Sequence, residues 1–366
     1  MDKHKKKILF LAVLPPPTHG AAIMNQHAVQ SAALNEAYNC AVLPLKFADS
    51  IADIGNISPK KLWRMLVFAF RLFWKLLSFR PQLVYFTLSI TGGAFYRDAF
   101  FAIMIKCFPA RIVYHLHGKG LAEDAQHSSL KRKLARFIFR NEKLIILGNS
   151  LRSDIKDLYN GEPFVVPNGI AITSYEARTE TDLPVFLYLS NLIISKGIGI
   201  FLESVRHLHE RGVGFKAIIA GASFDMTEEE VRKYITGNNL QKQVQMAGPL
   251  YGDAKQQALR DANVLVLPTW YKNEAAPLTI LEAMQAGMAV ISTDNGAIGE
   301  IIDNEVTGFV VPQKNSKAIE EKMELLATDE KLRKQMGEMG RKKFLGSYTL
   351  SAFEHNLFNV LQQVLK

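Results

Sequence analysis

Cysteine is scarce in this 366-residue chain: Cys40 and Cys107 stand far apart. That excludes a disulfide framework and a CxxC zinc or redox site, and it suits a reducing compartment. Long apolar runs are missing too. Residues 8–14 are apolar but end at Pro15-Pro16-Pro17, well short of the ~20 residues a membrane span requires. No small-residue cleavage site follows, so the run reads as a buried parallel strand rather than a signal peptide. A GxGxxG dinucleotide fingerprint is absent after it. Acidic charge is in deficit, with 35 Asp and Glu against 44 Lys and Arg. The imbalance belongs to residues 1–180, which hold 24 basic and 13 acidic side chains. An anionic partner is expected there, a membrane surface, a phosphorylated substrate or a nucleic acid. With 48% apolar and 22% charged residues the chain is neither disordered nor collagen-like.

What is present is a rhythm. Segments 8–14, 83–86, 111–115 and 144–147 read as strands, with helices at 21–34 and 130–139. A polar stretch, 171–182, interrupts the pattern. It restarts with strands at 185–189, 215–220, 244–246, 264–267 and 289–292 and helices at 200–210 and 278–286. Strands alternating with helices mean βαβ units and parallel sheets, hence the α/β class. Two Rossmann-like domains are expected, 1–175 and 183–346. A terminal segment, 347–366, carries a helix able to pack on either domain, a return onto the first included.

Residues 268–287, PTWYKNEAAPLTILEAMQAG, follow the strand at 264–267. They therefore lie at a strand's carboxyl end, where open α/β sheets bind ligands. Pro277 suits the first turn of a helix. The N–H groups around Ala276, Pro277, Leu278 and Thr279, with the helix dipole, make an anion site fit for a pyrophosphate. Glu274 and Glu282 flank it, ~12 Å apart if the segment between is helical. Either they accept sugar hydroxyls, or Glu274 is solvated and Glu282 merely complements the dipole.

This segment resembles the E-x7-E motif of the family 4 retaining glycosyltransferases. Glu282-Ala283-Met284-Gln285-Ala286-Gly287, then Gly296, Glu300-Ile301-Ile302 and Gly308-Phe309-Val310-Val311-Pro312 extend the likeness. The resemblance implies the GT-B fold, two Rossmann-like domains facing each other across a cleft. It implies that Glu274 contacts the donor sugar and that Glu282 holds the nucleotide ribose. Lys196, in the Ser190–Gly197 loop, is similar to the family's pyrophosphate-binding lysine; otherwise it is a solvated loop residue. Asn191 stands where the family has arginine, a donor without charge. His117, before Gly118, resembles the family's active-site histidine, and His115 reads as a core residue. A His-x-His pair also suggests a metal, but no further ligand is evident. Gly20, in the loop after the first strand, lets a phosphate or acceptor approach the backbone; the alternative is a stiff turn without a ligand. No Asp-x-Asp occurs, which agrees with leaving-group stabilisation by Lys196 and helix N–H groups, without metal or cofactor.

Residues 60–80 read KKLWRMLVFAFRLFWKLLSFR. Lys60, Arg64, Arg71 and Lys75 share one helical side, and Trp63, Phe70, Phe73, Trp74 and Leu77 supply apolar surface. This is an interfacial helix touching anionic lipid, or an ordinary helix packed on the sheet. The run Lys131-Arg132-Lys133 with Arg136 and Arg140 adds to the anionic-surface reading. No nucleic-acid recognition motif accompanies the charge.

The resemblance therefore implies a retaining transferase that moves a sugar from a nucleotide diphosphate sugar to a saccharide or lipid-linked acceptor. It would act in cell-surface polysaccharide or lipopolysaccharide synthesis, in the cytoplasm and peripherally on the membrane's inner face. The alternatives are a nucleotide-sugar epimerase or sugar phosphorylase of the same fold, or a non-catalytic nucleotide-sugar-binding protein. Base, sugar and acceptor depend on loop shapes that one sequence does not reveal.

Overall fold

The computed structural model describes residues 5–47, 59–175 and 183–366. Lys3, residues 176–182 of the polar stretch, and the Lys60 side chain lie outside the described residues. The chain divides into two units, residues 1–168 with 350–366, and residues 169–349.

In the first unit six strands form one parallel sheet in the order β2-β1-β3-β4-β5-β6. They are β1 (Lys7–Ala12), β2 (Asn39–Pro44), β3 (Leu83–Phe86), β4 (Arg111–His115), β5 (Lys143–Ile146) and β6 (Phe164–Val165). The central strands are short apolar runs such as LVYF, buried throughout, as a parallel sheet covered on both faces requires. The second unit repeats the plan with β7 (Val185–Leu189), β8 (Lys216–Ala220), β9 (Val244–Gly248), β10 (Val264–Leu267), β11 (Ala289–Thr293) and β12 (Gly308–Val311). Their order is β12-β11-β10-β7-β8-β9. In register, Val264 of β10 stands beside Phe186 of β7 and Ala289 of β11.

Helices cover the sheets. The helix expected at 21–34 is two, α1 (Gly20–Gln30) and α2 (Ala32–Ala37). Ser31 breaks it, and the Asn35 amide donates to the Val29 and Ser31 carbonyls at 3.0 and 2.9 Å, taking over helix acceptors at the break. β2 was not anticipated; most of its side chains are only partly buried, so it lacks the dense apolar signature of the central strands. The carboxyl-terminal helix α14 (Leu350–Leu365) belongs to the first unit and packs on α1 and α2.

The second basic run is divided. In α6 (Ser129–Phe139) Lys131 is buried, bonded to Asp124 at 2.5 Å. Arg132 donates to the Ala125 and Gln126 carbonyls, and Arg136 to that of Asp157. Lys131 and Arg132 are thus turned to local partners, while Lys133, Arg136 and Arg140 lie exposed.

Candidate active site

In the second unit β7 comes first in the chain, and the sheet order is that of the dinucleotide-binding Rossmann fold. The order reverses between β7 and β10, and ligands bind beyond the carboxyl ends of strands at such a point. The loops leaving those ends are residues 190–197 and 268–277.

The two loops are tied together. The Trp270 N–H donates to the Ser195 carbonyl at 2.7 Å, and the Thr269 hydroxyl reaches the same oxygen at 3.4 Å. Gly197 has φ +91°, and a Cβ there would stand 2.3 Å from the Pro268 carbonyl oxygen, so only glycine permits this approach. Gly296, at φ +59°, supports the other side of the loop. A Cβ on it would meet the Glu274 carbonyl oxygen at 2.4 Å. The Ala297 N–H donates to the Ala275 carbonyl at 2.7 Å, and the Asn295 amide to that of Tyr271 at 2.9 Å.

This pinning aims a charged pair. Lys196 Nζ is ion-paired to Glu274 Oε2, and both side chains are largely buried. The Thr269 hydroxyl lies 3.4 Å from the same carboxylate oxygen, and Lys196 Nζ stands 4.9 Å from the Tyr271 ring centroid. An ammonium here can neutralise a phosphate, and a buried carboxylate can take hydroxyl hydrogen bonds.

The helix α10 (Leu278–Gln285) begins four residues after Glu274, with Pro277 at the cap rather than in the first turn. Glu274 is therefore a loop residue, and the helical ~12 Å separation does not apply. No side chain caps α10. Its amino end lies in the segment Ala276, Pro277, Leu278 and Thr279; Pro277 has no N–H, and those of Leu278 and Thr279, with the positive dipole end, are offered to an anion. Glu282 lies within α10. Its Oε1 takes Lys255 Nζ at 2.7 Å from α9 (Gly252–Asp261), while Oε2 is buried without a protein partner. That oxygen is an acceptor in search of a donor, and a ribose hydroxyl fits. Beside it the Tyr175 hydroxyl donates to Gln256 at 2.7 Å. Burial, then the Glu282 charge, push the Tyr175 phenol up to about 12, against the opposing pull of Arg341. Asn191 lies half-buried in the 190–197 loop, its carbonyl accepting from the Tyr188 hydroxyl at 3.3 Å.

Gly20 and His117 belong to the first unit, and the other eight candidates to the second. Gly20 opens α1, whose cap is His19; its Nδ1 accepts from the Ala22 N–H at 3.3 Å. His117 follows β4 and stacks on His115, ring centroids 4.0 Å apart. Both His117 ring nitrogens are buried without a partner. Burial, then the nearby His19, draw His117 down to about 3. His115 is held well below its usual value by burial and then by His117. Its Nδ1 meets the Tyr85 hydroxyl at 2.5 Å. His117 is thus a neutral imidazole with two uncommitted nitrogens, able to give or take a hydrogen bond with a hydroxyl. Among the described residues no three His, Cys, Asp or Glu side chains gather as metal ligands.

Sequence reasoning missed Lys255, Tyr175 and the Tyr85 contact behind His115. Lys255 is one lysine on a polar helix, and nothing local ties it to Glu282.

The capsular polysaccharide biosynthesis glycosyltransferase CapM of Staphylococcus aureus is 26% identical over 251 residues, 68% of this chain and 61% of that one. The chain spans about half the length of the curated relatives it matches. The sucrose-phosphate synthase of Thermosynechococcus elongatus superposes with a TM-score of 0.78 at 17% identity, covering 98% of this chain and 99% of that one. Anabaena Alr3699/HepE, solved in complex with UDP, gives 0.75 at 16%, covering 98% and 100%. The chain has the GT-B fold, built of two Rossmann-like α/β domains. Residues 171–343 match the model of the family glycosyl transferases group 1.

Proposed function

We propose that this protein is a retaining glycosyltransferase of family 4, acting without metal in the cytoplasm. It moves a sugar from a nucleotide diphosphate sugar to a hydroxyl of a saccharide or lipid-linked acceptor, in bacterial cell-surface polysaccharide or lipopolysaccharide assembly. The observation that carries the reading is the meeting of Lys196, Glu274 and the uncapped amino end of α10 at the β7/β10 switch point. Lys196 and the α10 N–H groups take the diphosphate charge as it builds on the leaving group. Glu274 orients the sugar hydroxyls, and the open oxygen of Glu282 takes the ribose. In the transfer the bond from the anomeric carbon to the phosphate oxygen breaks and a bond to the acceptor oxygen forms. The acceptor proton passes to the leaving phosphate on the same face, which retains configuration. His117, in the first unit, is a neutral group able to exchange a hydrogen bond with a hydroxyl. The polysaccharide context is supported by the capsular relative.

The test has two parts. A panel of UDP-, GDP- and ADP-sugars is screened for thermal stabilisation; a true donor at ~100 times its dissociation constant adds about 2.7 kcal/mol. The stabilising donor is then incubated with and without saccharide acceptors, and the anomer of the product is read by NMR. Transfer with retention supports the proposal. Donor isomerisation without acceptor identifies an epimerase, phosphate-dependent cleavage a phosphorylase, and binding without turnover a non-catalytic protein, the reading that the uncharged Asn191 favours.

A further inference from the structure

The first unit carries an apolar face that its own core does not use. The helix α3 (Pro59–Phe79) turns Phe68, Ala69, Leu72 and Leu76 inward, where they are buried. Its opposite side is not polar. Trp63, Leu66, Phe70, Phe73, Trp74 and Leu77 are all exposed, Phe70 by 70% and the two tryptophans by 67% and 62%. At 3.6 residues per turn they fall within a sector of about 120°. Arg64, Arg71 and Lys75 run along one edge, between the exposed and buried faces, and α3 holds no Asp or Glu. So large an exposed apolar stripe marks a contact surface.

We propose that this face docks the protein on an anionic lipid bilayer, the aromatic side chains at the headgroup–acyl boundary and the edge cations against lipid phosphates. A bilayer takes an apolar stripe and a positive rim together. Trp rings suit the boundary because they join apolar area to a polar tip. A second copy packed antiparallel on this face would bring its own cations to the same edge, like against like. Among the described residues no helix is long and apolar enough to cross a membrane. The helix therefore lies along the surface. Lipid docking does not rest on the sugar-transfer reading, and its test needs no substrate.

Full-length protein is sedimented with vesicles of phosphatidylcholine alone and with about 30 mol% phosphatidylglycerol. The anionic vesicles bind at least tenfold more protein, and added salt removes the gain. A Trp63→Ala/Phe70→Ala/Trp74→Ala variant loses binding to both vesicles about tenfold or more. An Arg71→Gln/Lys75→Gln variant loses only the preference for anionic lipid. These side chains are exposed, so thermal melting stays near wild type; a variant that melts early is replaced by the single Trp74→Ala change. Vesicle binding by wild type that the aromatic substitutions leave unchanged overturns the proposal. So does absence of vesicle binding, including the case of a concentration-dependent dimer in light scattering that those substitutions abolish.

Discussion

Lys196 is engaged before any ligand arrives: its ammonium is ion-paired to the buried Glu274 carboxylate. An incoming diphosphate competes with that carboxylate for the same charge. Glu274→Gln is therefore expected to bind a nucleoside diphosphate more tightly, by about tenfold or 1.4 kcal/mol, while transfer falls by about 10² or more. Calorimetric titration with the diphosphate and a turnover assay read the two separately. Equal or weaker binding would show that the pair does not restrain Lys196. Lys196→Ala loses both affinity and turnover. Lys255 acts at one remove, fixing Oε1 of Glu282 so that Oε2 stays open. Lys255→Met is expected to raise the donor KM several-fold, roughly 1 kcal/mol, with a smaller change in kcat. His117 gives a pH dependence of stability. Its folded pKa of about 3 lies below the ordinary 6.5. Between those values the unfolded chain holds the extra proton, so stability is full above about 6.5 and falls as pH drops towards 3. The slope is at most about 1.4 kcal/mol per pH unit for one imidazole. Melting of wild type and His117→Gln from pH 4 to 7 tests this: the variant has the shallower slope, with the buried His115 and the half-buried His19 sustaining the remainder.

At the scale of elements, the site is two loops held by glycines. Gly197→Ala meets both a positive φ and the Pro268 carbonyl, and is expected to lose about 2 kcal/mol or more. Gly296→Ala pushes on the Glu274 backbone. Its turnover is expected to fall further than its melting temperature suggests, because the displaced loop carries the carboxylate. A turnover loss no larger than the stability loss would place Gly296 in the fold alone. The 268–277 loop was legible because its chemistry is local: a strand, a short segment with polar residues, then a proline before an apolar helix. The boundaries of β3, β7 and β10 were legible for the same reason, being buried short runs. Other features are long-range. β2 hides its strand character by partial exposure, and Ser31 ends α1 through bonds from Asn35 that no periodicity encodes. The Lys255–Glu282 pair spans two helices. The ion pair of Lys196 with Glu274 joins two loops 78 residues apart in sequence, so each charge was readable and their meeting was not.

The molecule as a whole is stitched by its last helix, which follows the second unit in the chain and is built into the first. Phe353, Leu357, Val360, Leu361, Val364 and Leu365 are buried, a stripe at helical spacing. Tyr38 meets Phe358 with ring centroids 6.1 Å apart. The Arg111 guanidinium and the Lys6 ammonium donate to the carbonyls of Val364 and Leu365, so the end of the helix is held by side chains from β4 and from the start of the first sheet. Each fully buried aliphatic side chain contributes about 1.5–3 kcal/mol, and truncation of one also leaves a cavity. Leu361→Ala is therefore expected to destabilise the first unit by about 2–5 kcal/mol. Hydrogen exchange locates the effect: amides of α1 and α2, against which α14 is folded, exchange faster in the variant, while those of β7 and β10 keep their rates. Uniform acceleration through both units would mean that the chain opens as a single cooperative body. Unchanged exchange in α1 and α2 would mean that α14 is only laid on the surface. The same argument bears on any dissection of the protein. A fragment ending at Thr349 leaves the apolar faces of α1 and α2 bare, so the first unit can be produced alone only if residues 350–366 are supplied with it.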